Sequence, residues 1–320
     1  GGVAAVGAHY DYWYRGFIDN ILGVAQAVEA FRRLGEAGVA ARLLLFGAEE
    51  SGALGFAGWY WAWGSRWYAR LEAARGRLGE VAAYANFDTA GTGCLRASGA
   101  PQLLETVGGL GLPVRRWECP ECDSFSLASM GVPTLSLHSL WCPEYERVYH
   151  TPDDTPDRAS RRHAELAVEA AVRALTARPE PGAFRAMLHE VLGRGPLRAR
   201  KVLHLLEHAG SRAGWEALYR LAARRFLKPM HYGSYRWDTA DLEAVWFPEV
   251  EAYRRLLGDL RRGRAPSEVI VAGEERLLYQ LSPGPGSWGS TGLSQLGRQL
   301  DHNMDRLELE AEELVREIIR

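Results

Sequence analysis

Ala41-Arg42-Leu43-Leu44-Leu45-Phe46-Gly47-Ala48-Glu49-Glu50 decides the fold: a short apolar run, the length of a buried strand, leads through a glycine into two adjacent carboxylates. The same pattern recurs on either side of it. Residues 3–8, Val-Ala-Ala-Val-Gly-Ala, read as a strand that delivers His9, and Val81 to Phe87 reads as another that delivers Asp88. A fourth strand is expected from Val132 to Leu137. Helical spacing predicts helices over Asn20–Leu34, about Gly55–Arg75 and Ala164–Ala177. Strands alternating with helices predict an α/β fold, a mostly parallel (mixed) sheet sandwiched by helices. Ligands of such sheets bind at the carboxyl ends of the strands, so His9, Glu49, Glu50 and Asp88 are expected along one edge.

The rest of the chain bounds what that edge serves. At 320 residues, 47% hydrophobic and 24% charged, the composition is globular. Arg178-Pro179-Glu180-Pro181-Gly182 reads as a linker between a domain over 1–178 and a mainly helical accessory region over 183–320. That region shows a strand-like interlude at Glu268–Leu281, a flexible stretch at Ser282–Gly292 and a long charged helix from about Leu293. It is expected to cover the rim of the site or to mediate self-association as a homo-oligomer. A formal charge of -2 gives no nucleic-acid surface, and no run of about twenty apolar residues predicts a membrane span. The chain opens on Gly-Gly without a visible signal peptide, which slightly favours a cytoplasmic location, or a secreted one if a leader has been removed. Cys119 and Cys122 form one CxxC, open to structural zinc, a local disulfide or free thiols; Cys94 and Cys142 lie in the same stretch.

Zinc takes neutral imidazole and carboxylate, and a two-metal hydrolytic site needs a carboxylate that bridges both ions. The first half offers His9-x-Asp11, Asp19-Asn20, Glu49-Glu50, Asp88 and Tyr149-His150-Thr151-Pro152-Asp153-Asp154 in order. His9 and Asp11 point to the same side of an extended chain, where a carboxylate can fix the imidazole's tautomer. Adjacent Glu49 and Glu50 point apart, so one can ligate metal while the other serves as general base. Asp153, Asp154 and Asp157 sit beside prolines and read as capping or turn residues. The aromatic runs Tyr12-Trp13-Tyr14 and Trp59-Tyr60-Trp61-Ala62-Trp63 read as packing surfaces, the first being the better pocket candidate.

These motifs, with Cys122-Asp123-Ser124 and Met130-Gly131-Val132-Pro133 between them, resemble the M28 family of zinc peptidases over roughly residues 3–175. The resemblance implies a zinc-exopeptidase type of fold and a metal-dependent aminopeptidase acting on peptides. It implies two zinc ions: His9 and Asp88 on one, Glu50 and His150 on the other, Asp19 between them. It makes Glu49 the general base, Asp11 the residue that orients His9, and Tyr149 a donor to the oxyanion. Asp19-Asn20 falls where members often have a non-proline cis peptide. The sequence departs from the family in the few residues before His9, implying a trimmed start or a sheet edge built otherwise. It departs again at Cys122-Asp123-Ser124, where Ser-Asp-His is usual. The same fold also hosts single-zinc glutaminyl cyclases and catalytically dead, receptor-like binding proteins; metal stoichiometry and an intact Glu49 discriminate among the three.

Overall fold

The computed structural model describes residues 2–51, 61–115, 119–177, 182–232, 242–262, 268–274, 276–280 and 290–319. Two compact units account for them, one within 2–177 and one within 182–319. In the first, strands β1 (Val3–His9), β2 (Ala41–Phe46), β3 (Val81–Asp88), β4 (Arg96–Gly99), β5 (Val114–Arg115) and β6 (Thr134–His138) form one sheet in the order β2-β1-β3-β6-β4-β5. β1, β2, β3 and β6 run parallel, while β4 opposes β6 and pairs in parallel with β5. The sheet is therefore mixed and mostly parallel. β4 and β5 escape sequence reading because four and two residues are too short to show a period.

Helices α1 (Leu22–Glu36), α2 (Trp63–Ala74), α3 (Pro101–Val107), α4 (Asp123–Ala128), α5 (Pro143–Glu146) and α6 (Arg161–Thr176) complete the unit. α1 buries Gly23, Gln26, Ala27, Ala30 and Leu34, one face of a 3.6-residue period, and packs with α6 on β1 and β3. α2 and α4 pack on each other, and Ala69 and Leu127 join Ala5, Phe46, Tyr84 and Val132 in an apolar cluster. α1 starts two residues later than expected, because Asp19 and Asn20 have extended φ of -119° and -144°. The expected start of α2 at Gly55 lies outside the described residues, as do Trp59 and Tyr60.

The connection from β1 through α1 goes to β2 on one side of β1, and the chain then returns to β3 on the other side. The crevice beyond the carboxyl ends of β1 and β3 is thus the sheet's topological switch point. His9 and Asp88 are the last residues of those two strands.

The second unit keeps the mainly helical character expected of residues 183–320 and adds a sheet to it. Helices α7 (Gly182–Leu192), α8 (Leu197–Ala213), α9 (Trp215–Phe226), α10 (Pro248–Arg261) and α11 (Ser290–Ile319) give it the expected helical character. Four strands accompany them: β7 (Leu227–Tyr232), β8 (Leu242–Trp246), β9 (Glu268–Val271) and β10 (Arg276–Gln280), all antiparallel in the order β10-β9-β7-β8. The interlude at Glu268–Leu281 is β9 and β10. β7 was illegible because Pro229 within it argues against a strand. Met230, Val245, Val269, Val271, Leu278 and Leu296 form the core beneath this sheet. The linker residues 178–181 and most of the stretch expected to be flexible lie outside the described residues. Among the described residues no helix is long and apolar enough to cross a membrane.

Gly7, in the middle of β1, shows how closely the first sheet is built. A Cβ there would meet the Leu44 carbonyl oxygen at 2.2 Å and the Tyr84 hydroxyl at 2.8 Å. Gly7→Ala is expected to lower the unfolding free energy by about 1–3 kcal/mol, read from denaturant unfolding; an unchanged midpoint would show that the strands have room to part.

Candidate metal centre

β1 ends by placing His9 in the crevice with its ring 1% exposed. Nδ1 lies 3.0 Å from the main-chain oxygen of Asp11. A carbonyl only accepts, so Nδ1 carries the proton and the lone pair of the neutral ring sits on Nε2. That atom is 3.3 Å from Asp19 Oδ1 and 3.8 Å from Asp88 Oδ1. Asp11 therefore orients His9 chiefly through its backbone. Its carboxylate stands 3.7 Å from Nδ1 and accepts the backbone N–H of Glu50 at 3.1 Å through the other oxygen.

Asp19 is held from several directions. The Asp19–Asn20 peptide is cis. Asp154 accepts the N–H groups of Ile18 at 2.8 Å and Asp19 at 3.0 Å, and the Tyr145 hydroxyl donates to Asp19 Oδ2 at 2.5 Å. Asn20 Nδ2 donates to the Phe87 carbonyl at 2.9 Å, which ties the loop to the end of β3. Gly23 makes that possible, since a Cβ there would come within 2.0 Å of Asn20 Oδ1.

His150, at φ 51°, stacks on Tyr149 with ring centroids 3.8 Å apart. Its Nε2 is 2.7 Å from Glu50 Oε2 and 3.6 Å from Asp19 Oδ2. The nearer pair is out of line for a hydrogen bond, and His150 Nε2 and Glu50 Oε1 are buried without hydrogen-bond partners. Nitrogen and oxygen donors gathered at this spacing form a set that can share a cation.

The sequence-read residues therefore meet. Ligand atoms of His9, Asp19 and Glu50 lie within 4.8 Å of one another, as do those of His9, Glu49 and Asp88. His150 adjoins the first group through Glu50. Glu49, expected to stand apart as a base, instead lies among the ligand atoms of the second group. Tyr149 is 40% exposed and flanks His150. The hydroxyl on Asp19 is that of Tyr145, a residue that sequence reading passed over because it precedes the Tyr-His motif and carries no signature. Asp154, read as a turn residue, and Asp123, buried with both carboxylate oxygens unpaired, were missed likewise.

Burial would push the Asp19 carboxyl up, but the imidazoles of His150 and His9 and the Tyr145 hydroxyl outweigh it and hold it well below its ordinary value. Burial alone would lower His9; Glu49, Asp19 and Asp88 raise it well above the usual imidazole value. Burial pushes Glu49 well up despite His9, with Asp88, Asp123 and Glu50 adding to the rise. Burial takes Glu50 to about 7 against the pull of His150. His150 itself, which burial would lower, is lifted to about 9 by Asp19 and Glu50. Protons fill in for missing positive charge. A nitrogen and oxygen donor set of this kind fits zinc, and the excess of buried carboxylate over imidazole fits divalent cations.

The model for "Peptidase family M28" matches residues 2–97. The matched segment holds His9, Asp19, Glu49, Glu50 and Asp88, and His150 lies beyond it. Three solved structures are among those to which part of the chain is similar. An aminopeptidase from Aneurinibacillus sp. strain AM-1 is 22% identical with a TM-score of 0.45, covering 56% of this chain and 44% of its own. BSAP, a zinc aminopeptidase from Bacillus subtilis, is 21% identical with a TM-score of 0.45, covering 54% and 45%. An Acidobacteriales bacterium glutaminyl cyclase is 20% identical with a TM-score of 0.45, covering 54% and 68%. The chain thus spans under half of the length of the two aminopeptidases, and likeness at this level transfers no activity. No curated protein matches.

The protonation pattern has a sign that can be measured. Without metal, folded Glu50 at about 7 and His150 at about 9 hold protons that their ordinary values, 4.5 and 6.5, would already have released. Stability conferred by those protons is present at low pH and is lost as pH rises through 7 for Glu50 and through 9 for His150. Asp19, depressed, acts with the opposite sign and only in the acid range below. The chelated protein is therefore expected to melt at falling temperature between about pH 5 and 9, and added zinc is expected to flatten the slope. A flat profile in chelator would count against this charge balance.

Proposed function

We propose that this chain is a zinc-dependent aminopeptidase that removes N-terminal residues from peptides, with two ions held by His9, Asp19, Glu50, Asp88 and His150. The observation that carries the reading is the pair of overlapping donor groups sharing His9, with Glu49 buried between His9 and Asp88. Zinc, when bound, polarises a carbonyl and lowers the pKa of water towards neutrality. The protein's own groups supply the rest.

Glu49 takes the proton of the attacking water and returns it to the leaving amine. Burial raises its affinity for protons, which suits a group that takes up a proton and returns it. Asp11 and Asp154 hold the donors in place through the backbone of Glu50 and Asp19. Tyr149 is assigned as hydrogen-bond donor to the oxyanion. Burial, with Asp19 and Glu50, keeps its phenol protonated well beyond the usual range, so it stays a donor at any working pH. Trp13, 47% exposed with its ring 6.0 Å from that of His150, offers an apolar surface beside the site. That surface supports a preference for apolar N-terminal residues.

Glu49→Gln is expected to cut kcat on an aminoacyl chromogenic peptide by about 10²–10⁴-fold while the protein retains its zinc, measured by elemental analysis. Hydrolysis at the wild-type rate would remove Glu49 from the mechanism. A single tightly held ion together with cyclisation of N-terminal glutamine would replace the aminopeptidase reading by a cyclase.

A further inference from the structure

The segment from Ser139 to Asp154 holds Asp19 from three sides. Tyr145 donates to its carboxylate, Asp154 accepts its N–H, and His150 stands 3.6 Å from Oδ2. Yet the segment is loop and short helix that follows the end of β6. It contains two non-glycine residues in the left-handed region, Trp141 at φ 59° and His150 at φ 51°. Such residues persist only where their surroundings enforce them.

The enforcement at the near end is covalent. Cys94, in the stretch that leaves β3 after Asp88, is disulfide-bonded to Cys142, with Cα atoms 5.9 Å apart, inside the range a disulfide spans. Hydrogen bonds run alongside the bridge. Thr92 Oγ1 donates to Cys142 Sγ at 3.4 Å, and Ser139 N donates to Thr89 Oγ1 at 3.0 Å. Cys142 directly precedes α5, which carries Tyr145, and packs with Ile18, Tyr145 and Val148 in one buried cluster. One bond therefore links the stretch that follows Asp88 to the segment that bears Tyr145 and His150. Cys142 is fully buried, whereas Cys94 is partly exposed.

We propose that the Cys94–Cys142 disulfide is a reducible clamp that positions Tyr145 and His150 against Asp19. A dithiol reductant opens it in two steps. A reductant thiolate attacks the sulfur of the partly exposed Cys94, forming a mixed disulfide while the Cys142 sulfur leaves as thiolate. The second reductant thiol then displaces Cys94. The reductant ends as a cyclic disulfide, and the protein ends with two electrons and two protons more, as two thiols. The clamp positions its residues and takes no part in bond breaking. Only its effect on metal rests on the functional reading above.

The test uses folded wild-type protein treated with dithiothreitol and then alkylated, beside Cys94→Ser/Cys142→Ser. Without reductant, the denatured chain is expected to bind two equivalents of N-ethylmaleimide, at Cys119 and Cys122, which are free. Four equivalents would show that the bridge does not form and would end the proposal. In metal-free protein, opening the bridge is expected to speed hydrogen exchange over residues 139–151 and leave residues 3–9 unchanged. Unchanged exchange over 139–151 in both the reduced protein and the double variant would overturn the clamp. Zinc loss to a chelator is expected to accelerate about tenfold, the scale on which the supports of metal ligands act, and reoxidation is expected to reverse it. If exchange responds as stated but no zinc binds in either state, the clamp stands and the peptidase reading falls.

Discussion

Buried carboxylates repel one another, and the first unit gathers five of them, Asp19, Glu49, Glu50, Asp88 and Asp123, around the imidazoles of His9 and His150. Taking such charges out of water is expensive unless positive charge accompanies them. Without metal, protons have to serve, which is why Glu49, Glu50, Asp123 and both histidines hold theirs above their ordinary values. The crevice is therefore a place where cation binding and folding are the same event in part. The close strand packing at Gly7 and the bonds around Asp19 hold these groups together against their repulsion.

The donors come from two kinds of support. His9 and Asp88 end neighbouring parallel strands, and Glu49 and Glu50 follow a third within a few residues. Asp19 and His150 come from loops and reach the same space only because other loops grip them. Asp154 and Tyr145 are more than a hundred residues from Asp19 in sequence, yet they fix both its backbone and its carboxylate.

That division explains how much was legible in the sequence. Apolar runs ending in His, Glu-Glu and Asp announced the sheet and the edge at which these residues meet, because strand period and strand-end chemistry are local properties. Asp19 and His150 could be named only through the order of motifs, since nothing in a loop's own composition says where it folds back. Tyr145, Asp154 and the Cys94–Cys142 bridge were invisible for the same reason: each acts through a partner distant in the chain. The short strands β4 and β5, and β7 with its internal proline, lacked any periodic signal. The role of Asp11 was half legible; proximity to His9 followed from spacing, but the division of labour between carbonyl and carboxylate depends on the turn after β1.

The strand-borne donors have a further consequence. Adjacent strands stand about 4.8 Å apart by the demands of backbone pairing alone, so the sheet limits the separation of His9 and Asp88, which end strands β1 and β3 two residues beyond the paired Gly7 and Asn86. That spacing cannot drift without breaking the ladder. The loop-borne donors carry no such restriction, and a change of length or sequence between Ser139 and Asp154 can shift the outer half of the cage while the core stays as it is. If these donors hold an ion as proposed, its size and coordination can diverge among related chains without refolding the scaffold.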